Sequence, residues 1–472
     1  MLCRGHAGAQ CLCKSFYIMK TEITINRGLD LSLKGSLPAD AQIRSVAAAQ
    51  IAVVPDDYPG FTPKLEVKEG SEVVAGEPLM HAKECDAVKL VSPVSGRVKE
   101  VKRGERRKIL YVSVEAADVA KAPVAEVPGK DAESIRTALQ QSGLWALMRQ
   151  RPYDIVPVPD RSPRDIFITA VDSAPLAMPL TAEVPDGASR IDAGLKALMQ
   201  LTEGHIYISF RPGADRGIVP EWAYTSNRVV VTEVNGKHPA GNAGVQIAAL
   251  APVNKGDLVW TLDIVTLWRI GSLMIDGHVD WSTRVAVTGS EVAEPFIAET
   301  VVGASVEPLL AGALTEGDRH LRIISGNVLT GVKISPDGYL HYPYRQITVI
   351  PEGDDVDEFM GWASMSTKKM SESRSFLSKI FGRKEFAPDA RVLGGKRAMI
   401  MSGLYDKVFP MDILPEYLLK AIISKDIDKM EQLGIYEVAP EDFALCEYVD
   451  PSKIEIQKLV RDGLDYMRKE VE

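Results

Sequence analysis

Arg228-Val-Val-Val-Thr-Glu-Val-Asn-Gly236-Lys-His-Pro-Ala-Gly241-Asn-Ala-Gly244 decides how this chain is read. Its first half, Arg228 to Val234, is apolar and β-branched and reads as a buried strand. Its second half is the most glycine-dense loop in the sequence and leaves directly from that strand. A phosphate cradle would start this way, but the chemistry stops short. Gly236 and Gly241 have the outer spacing of a Walker A loop, yet Asn242-Ala243 stands where Lys and Ser or Thr are needed for phosphate and magnesium. Nor are any two of the 37 glycines separated by a single residue, so Gly-x-Gly, and with it the dinucleotide fingerprint, is absent.

Outward from this loop the pattern alternates strands and helices. Ile166 to Val171, His205 to Phe210 and Arg284 to Thr288 are further strands. Ser189 to Leu201 is an amphipathic helix with Ile191, Leu195, Leu198 and Met199 on one face, and Asp131 to Gln150 carries helical spacing at Ile135, Leu139, Leu144 and Leu147. Buried strands mixed with helices in this order imply an α/β layer structure. On the N-terminal side, Ile23 to Gly35 alternates as a half-buried strand, and short strands between glycine turns from Pro63 to Glu115 form an all-β module. Ala116 to Pro128 reads as a linker. Beyond the α/β region lie a strand-rich insert, Val301 to Ile350, and a helical end at Ile413 to Ile423, Ile427 to Leu433 and Ser452 to Val471. Pro440-Glu-Asp442 is a helix start.

Composition excludes further classes. The 472 residues are 46% hydrophobic and 25% charged, as in an ordinary globular protein of two to four domains. The formal net charge of −9 argues against a nucleic-acid binder working through bulk positive charge. The five cysteines, at 3, 11, 13, 85 and 446, contain no Cys-x-x-Cys, and the seven histidines no His-Glu-x-x-His, so zinc, ferredoxin-type and thioredoxin chemistry have no motif. Residues 1–18 lack the continuous apolar stretch of a secretory signal and are expected to be an unstructured extension, with Met19-Lys20 the natural beginning. Val259 to Ile275, the longest candidate membrane span, carries Asp263 and Arg269 and reads as core.

Gly70-x-x-Val73-x-x-Gly76-x-x-Leu79 followed by Ser92-Pro-Val-Ser-Gly96-Arg-Val98 resembles the barrel-sandwich fold of biotinyl and lipoyl domains. Counting from either glycine landmark puts the hairpin tip at Cys85 or Asp86, where that family has its modified lysine. Lys83 and Lys89 only flank it, so the module reads as structural or docking and Cys85 as an ordinary thiol.

A second resemblance covers nearly all of the chain after Met19. Gly28-Leu-Asp-Leu, Ser92 to Gly96 with Arg103-Gly-Glu-Arg106, Pro239 to Gly244, Val259-Trp-Thr261, Arg322 to Gly331, Gln346 to Gly353, Gly395 to Met399, Pro410 to Pro415 and Glu441 to Cys446-Glu-Tyr occur in the order found in the NqrA family, the large soluble component of the bacterial sodium-translocating NADH:quinone oxidoreductase. Each stretch is weak; their colinear order is the specific signal. The resemblance implies a multidomain α/β fold: barrel-sandwich β module, Rossmann-like α/β domain without the glycine fingerprint, small β-grasp-like (SLBB) insert and C-terminal helical domain. The boundaries expected are 19–120, 121–300 and 301–352, a basic linker region at 353–400, and 401–472. It further implies similarity to the NADH- and FMN-binding subunit of respiratory complex I and to the corresponding RnfC protein of the Rnf complex, with the glycine loop and cluster cysteines lost. Cys446 is alone, because Asp450-Pro-Ser-Lys453 stands where family members often have a second cysteine.

By the same resemblance this is a peripheral subunit on the cytoplasmic face of the bacterial inner membrane, in a complex that couples electron transfer from NADH to ubiquinone to Na+ export. It is not catalytic alone. FAD, FMN, riboflavin and Fe–S are expected on other subunits and none here. The main partner implied is a membrane-embedded flavoprotein subunit, with no nucleic acid. The alternative is a cofactor-free scaffold of a related Rnf-type or complex I-type assembly. No residue is assigned a catalytic role and none a metal.

His238, Pro239, Gly241 and Gly244 are the candidate quinone-binding residues, the loop as a backbone cradle and His238 as donor to a quinone carbonyl. The competing reading is an inherited turn whose glycines satisfy positive φ angles. Trp260, Trp268 and Phe296 read either as stacking partners of a quinone ring or, more commonly for such spacing, as core. Arg97 to Lys108 holds seven basic and two acidic residues, and reads as a solvated face or as a docking surface for an acidic partner or anionic lipid. Ser364 to Lys384 is a second basic segment, a surface loop or an amphipathic helix against a membrane.

Overall fold

The computed structural model describes residues 22–117, 127–184, 187–215, 217–317, 319–354 and 385–471. The expected extension at 1–18, most of the linker at 116–128 and the basic segment at 364–384 lie outside the described residues.

The α/β unit is built on a six-stranded sheet ordered Glu22–Ile25, Val229–Gly236, Ile206–Phe210, Asp165–Thr169, Val259–Asp263, Arg149–Arg151. The first five strands are parallel and the last is antiparallel to its neighbour. Parallel strands covered on both faces need apolar residues on both, and Ile206, Ile208, Phe210, Ile166 and Ile168 are accordingly buried to 1% exposure or less. Helices Gly187–Leu198 and Ile264–Asp276 pack against each other on one side. The apolar stretch with two charges is thus a strand followed by a helix: Asp263 caps that helix by accepting from Thr266 N at 2.7 Å. Arg269, 1% exposed, donates to the backbone oxygens of Asp280 and Ser282. No helix among the described residues is long and apolar enough to cross a membrane.

Three expectations change, the third in the last of the sheets described below. The periodicity from Asp131 to Gln150 is not one helix: it stops after Ala132–Gln141, Gly143 takes φ +83°, and the apolar residues beyond it form a single turn at Trp145–Leu147 before the strand Arg149–Arg151. The strand expected from Ile23 to Gly35 covers only Glu22–Ile25, and it pairs with the α/β sheet rather than with the β module that follows it.

The β module packs a four-stranded sheet, Gln50–Val53, Ile109–Ala116, Gly96–Arg103 and Glu72–Val73, on a three-stranded one, Pro63–Leu65, Pro78–Ala82 and Lys89–Val91. Small turns and inward Val73, Leu79, Met80, Val98, Val112 and Val114 give the barrel-sandwich core. At its hairpin tip, Val88 N donates to Cys85 O at 3.1 Å, Lys83 is exposed, and Lys89 is paired with Glu66.

A third sheet, Val332–Ile334, Leu321–Ser325, Gln346–Pro351, Ser282–Thr288, Phe296–Val301 and Ile43–Ser45, forms the β-grasp-like unit. Ser282–Thr288 and Phe296–Val301 therefore belong here and not to the α/β sheet, since they pair with Gln346–Pro351 and with Ile43–Ser45. Apolar patterning marks a buried strand but does not say which sheet it joins.

The C-terminal helices, among them Pro415–Ser424, Ala444–Val449 and Ile456–Val471, enclose Tyr405, Phe409, Phe443 and Cys446. Asp450 sits inside this unit and accepts from the Tyr405 hydroxyl and from Ser452 N and Ile454 N, all at 2.9 Å. Arg151, 1% exposed, reaches from the α/β edge strand to Glu441 at 3.3 Å and Asp442 at 3.5 Å and joins the two units.

Candidate functional site

Strand order locates the place where an α/β sheet offers a ligand crevice. From Asp165–Thr169 the chain proceeds outward through Ile206–Phe210 to Val229–Gly236, then crosses back to place Val259–Asp263 on the other side of the first strand. The reversal lies between Asp165–Thr169 and Val259–Asp263, and ligands of such sheets sit outside the carboxyl ends of those strands.

That crevice is occupied by the chain itself. Arg345, in the segment entering Gln346–Pro351 of the β-grasp-like unit, donates through Nη1 to Asp263 Oδ2 at 2.9 Å and through Nε to Glu183 Oε2 at 3.1 Å. Gln346 Nε2 donates to Pro175 O at 3.1 Å in the loop after the first strand, and the Tyr342 hydroxyl donates to Leu147 O at 2.8 Å. Burial pushes Glu183 up to about 7 despite Arg345, with the Asp172 and Asp263 charges adding to the rise. Burial acts the same way on Asp263, but there Arg345 and the Thr266 N–H prevail and its carboxyl lies below its usual range. Arg345 is held above its ordinary value, its desolvation outweighed by the two carboxylates. A fixed fork facing one buried and one half-buried acid is a structural clamp.

The glycine loop lies at the same end of the sheet, two strands further out, after Val229–Gly236. His238 is 4% exposed. Its N–H is accepted by Asp30 Oδ1 at 2.9 Å and its carbonyl accepts from Leu29 N at 2.8 Å, so the segment after the N-terminal strand lies across it. Ser173 Oγ accepts from Gly241 N at 2.8 Å and stands 3.1 Å from His238 Nδ1. Which of that hydroxyl and Nδ1 donates depends on the ring tautomer, and Nε2 is buried with no hydrogen-bond partner. Burial lowers His238 to about 4, against the pull of Asp30.

The four predicted residues are thus brought together, with the Gly241 backbone against Ser173 and Gly244 against the C-terminal unit. Positive φ is not the reason for the last two glycines. Of the loop's three, only Gly236 has it, at +137°. A Cβ on Gly241 would lie 2.7 Å from Ser173 N and Val171 O, and one on Gly244 2.4 Å from Asp442 Oδ2. They are glycines because other backbone and a buried carboxylate pass where a side chain would be. Trp260, Trp268 and Phe296 are 0%, 4% and 3% exposed; Trp260 meets Trp145 edge-on at 5.0 Å, and guanidiniums of Arg190 and Arg44 cover the other two rings.

Cys446 is fully buried, and burial among Asp406, Asp442 and Asp450 raises its thiol well above the ordinary value, the opposite of what a thiolate ligand requires. No cluster of three or more His, Cys, Asp or Glu with metal-holding geometry exists among the described residues. Sequence reasoning missed Arg345 and Glu183, which carry no motif. Asp263 did leave a signal, since a charge inside an apolar run demands a partner.

Three family models match the chain in order: the NqrA N-terminal barrel-sandwich hybrid domain over residues 23–117, the NqrA second alpha/beta domain over 130–279 and the NQRA C-terminal domain over 284–335. The chain is 36% identical over 456 residues to the A subunit of the Na(+)-translocating NADH-quinone reductase of Serratia proteamaculans, and 37% over 454 residues to that of Saccharophagus degradans. The Vibrio anguillarum protein of the same name is 34% identical over 458 residues. In each case 95% of this chain and 100% of the relative are covered. Among solved structures, the NAD+-reducing NiFe hydrogenase in its air-oxidized state aligns over 50% of each chain with 17% identity and a TM-score of 0.34.

A histidine held at about 4 in the fold and titrating near 6.5 when unfolded binds more protons in the unfolded chain. The stability it contributes is present above pH 6.5 and lost as pH falls towards 4. By pH 5 the loss should be about 2 kcal/mol. His238→Asn should remove this component, read as a smaller difference between urea midpoints at pH 7 and pH 5. An unchanged difference would show that the ring takes up a proton freely.

Proposed function

The chain belongs to the NqrA family, the A subunits of Na(+)-translocating NADH-quinone reductase, and from that premise we propose that it is the peripheral, cofactor-free subunit of such a complex. In this reading the assembly passes electrons from NADH to ubiquinone and exports Na+ across a bacterial inner membrane. This subunit sits on the cytoplasmic face and serves assembly, while FAD, FMN, riboflavin and Fe–S belong to its partners, a membrane-embedded flavoprotein subunit foremost.

The match to named relatives over their whole length carries the proposal. The geometry supports its cofactor-free part. Arg345 stands between Asp263 and Glu183 where a nucleotide would lie, Gly-x-Gly is missing, and Cys446 is buried with a raised thiol. The assembly role is supported by a fold whose units are clamped together by Arg345 and Arg151.

A second reading, quinone contact at His238, Pro239, Gly241 and Gly244, is favoured by one observation: His238 Nε2 is buried without a hydrogen-bond partner. In the tautomer that carries its hydrogen on Nε2, the ring would point it at a carbonyl oxygen inserted beside the loop.

Affinity purification of the full-length chain from its own membranes should bring down membrane-embedded flavoprotein subunits with NADH:quinone reductase activity. Recovery of a different redox assembly, or of no membrane protein, would refute the main reading. In the purified complex His238→Ala should raise the KM for quinone severalfold with kcat for NADH oxidation by an artificial acceptor unchanged; an unaltered KM would dismiss the quinone reading alone.

A further inference from the structure

The strands Gly96–Arg103 and Ile109–Ala116 are joined by a tight basic tip, Arg103-Gly-Glu-Arg-Arg-Lys108. Gly104 N donates to Lys108 O at 2.8 Å and Lys108 N to Glu105 O at 3.1 Å, closing the turn. Arg106 and Arg107 take φ values of 52° and 62°, two consecutive left-handed residues. Glycine or asparagine fills such positions when only the shape of a turn matters. Here arginine stands at both, and Arg103 braces them by donating from Nη1 to Arg107 O at 3.1 Å.

Charge pairing separates the tip from its flanks. Lys102 is matched by Glu100 at 3.2 Å and Lys108 by Asp56 at 2.6 Å. Arg103, Arg106 and Arg107 have no carboxylate within ion-pair distance among the described residues, and all three are exposed beside an exposed Glu105. Leu110, 36% exposed, lies over Gly104 at the base of the tip. Three unmatched guanidiniums and one apolar side chain thus project from a body whose formal net charge is −9.

We propose that this hairpin tip is a prong that binds the phosphate headgroups of an anionic phospholipid surface. An acidic protein partner fits less well. The tip comprises six residues, against about 20–30 on each side of a standard protein interface. A cationic prong on a lipid surface needs no matching shape, and its attraction adds per charge near the membrane. Guanidiniums bind phosphate oxygens through paired N–H groups, and a leucine beside them suits the depth just below the headgroups. The acidic body would be repelled by the same surface, so the prong would fix which end of the molecule faces the bilayer.

The inference rests on the proposed place at a membrane, but it is tested on the free protein, so failure to co-purify with a complex would leave it standing. The full-length chain should sediment with vesicles of phosphatidylcholine mixed with phosphatidylglycerol and not with phosphatidylcholine alone, and salt should release it. In the double variant Arg106→Asn, Arg107→Gly both replacements accept left-handed backbone, so the fold should keep its melting temperature. Its vesicle affinity should fall about thirtyfold, roughly fivefold for each charge at about 1 kcal/mol per cation. Equal binding of variant and wild type, or binding that ignores phosphatidylglycerol, would overturn the proposal. So would unchanged vesicle binding together with salt-sensitive loss of partner subunits in detergent, which would assign the tip to an acidic protein surface.

Discussion

Arg345 is the side chain on which the architecture turns. It belongs to the β-grasp-like unit, yet its guanidinium sits at the carboxyl edge of the α/β sheet between Asp263 and Glu183. Buried acids of that kind are costly unless paired. Asp263 is held in place by its second task as helix cap, and Glu183 lies at the end of the chain's return from the first strand. The same three residues therefore order the crevice loop, start a buried helix and fix one unit on another. Arg284, donating to Ala182 O at 3.1 Å, strengthens the same contact from the neighbouring strand.

The units are also tied by how the chain is threaded. The N-terminal segment gives Glu22–Ile25 to the α/β sheet and Ile43–Ser45 to the third sheet before it enters the β module. The segment 28–30 crosses the glycine loop, and Arg151 and Gly244 meet the C-terminal unit at Asp442. The sheet end used for chemistry in many α/β proteins is here spent on joining parts of one chain.

Much of the fold was legible because its causes are local. Strand Val229–Gly236, helix Gly187–Leu198 and the helices of the C-terminal unit follow from periodicity, and the β module from its glycine spacing. Sheet membership was not legible, as Glu22–Ile25 and Ser282–Thr288 show: a pairing partner far along the chain leaves no mark in either strand. For the candidate site, the sequence singled out His238 and its glycines as special. It could not tell close approach of Ser173 and Asp442 from positive φ, since both demand the same residue. Arg345 was invisible for a similar reason, as one arginine in a loop says nothing about the carboxylates it will meet.

The claim that the switch-point crevice is filled by the chain's own Arg345 is tested most directly by equilibrium titration of the purified full-length protein with FMN and with NADH. We predict no saturable binding of either. One-to-one binding of FMN, displaced by NADH or sharpened by mutation of Asp263, would contradict the claim and restore a nucleotide site to this chain.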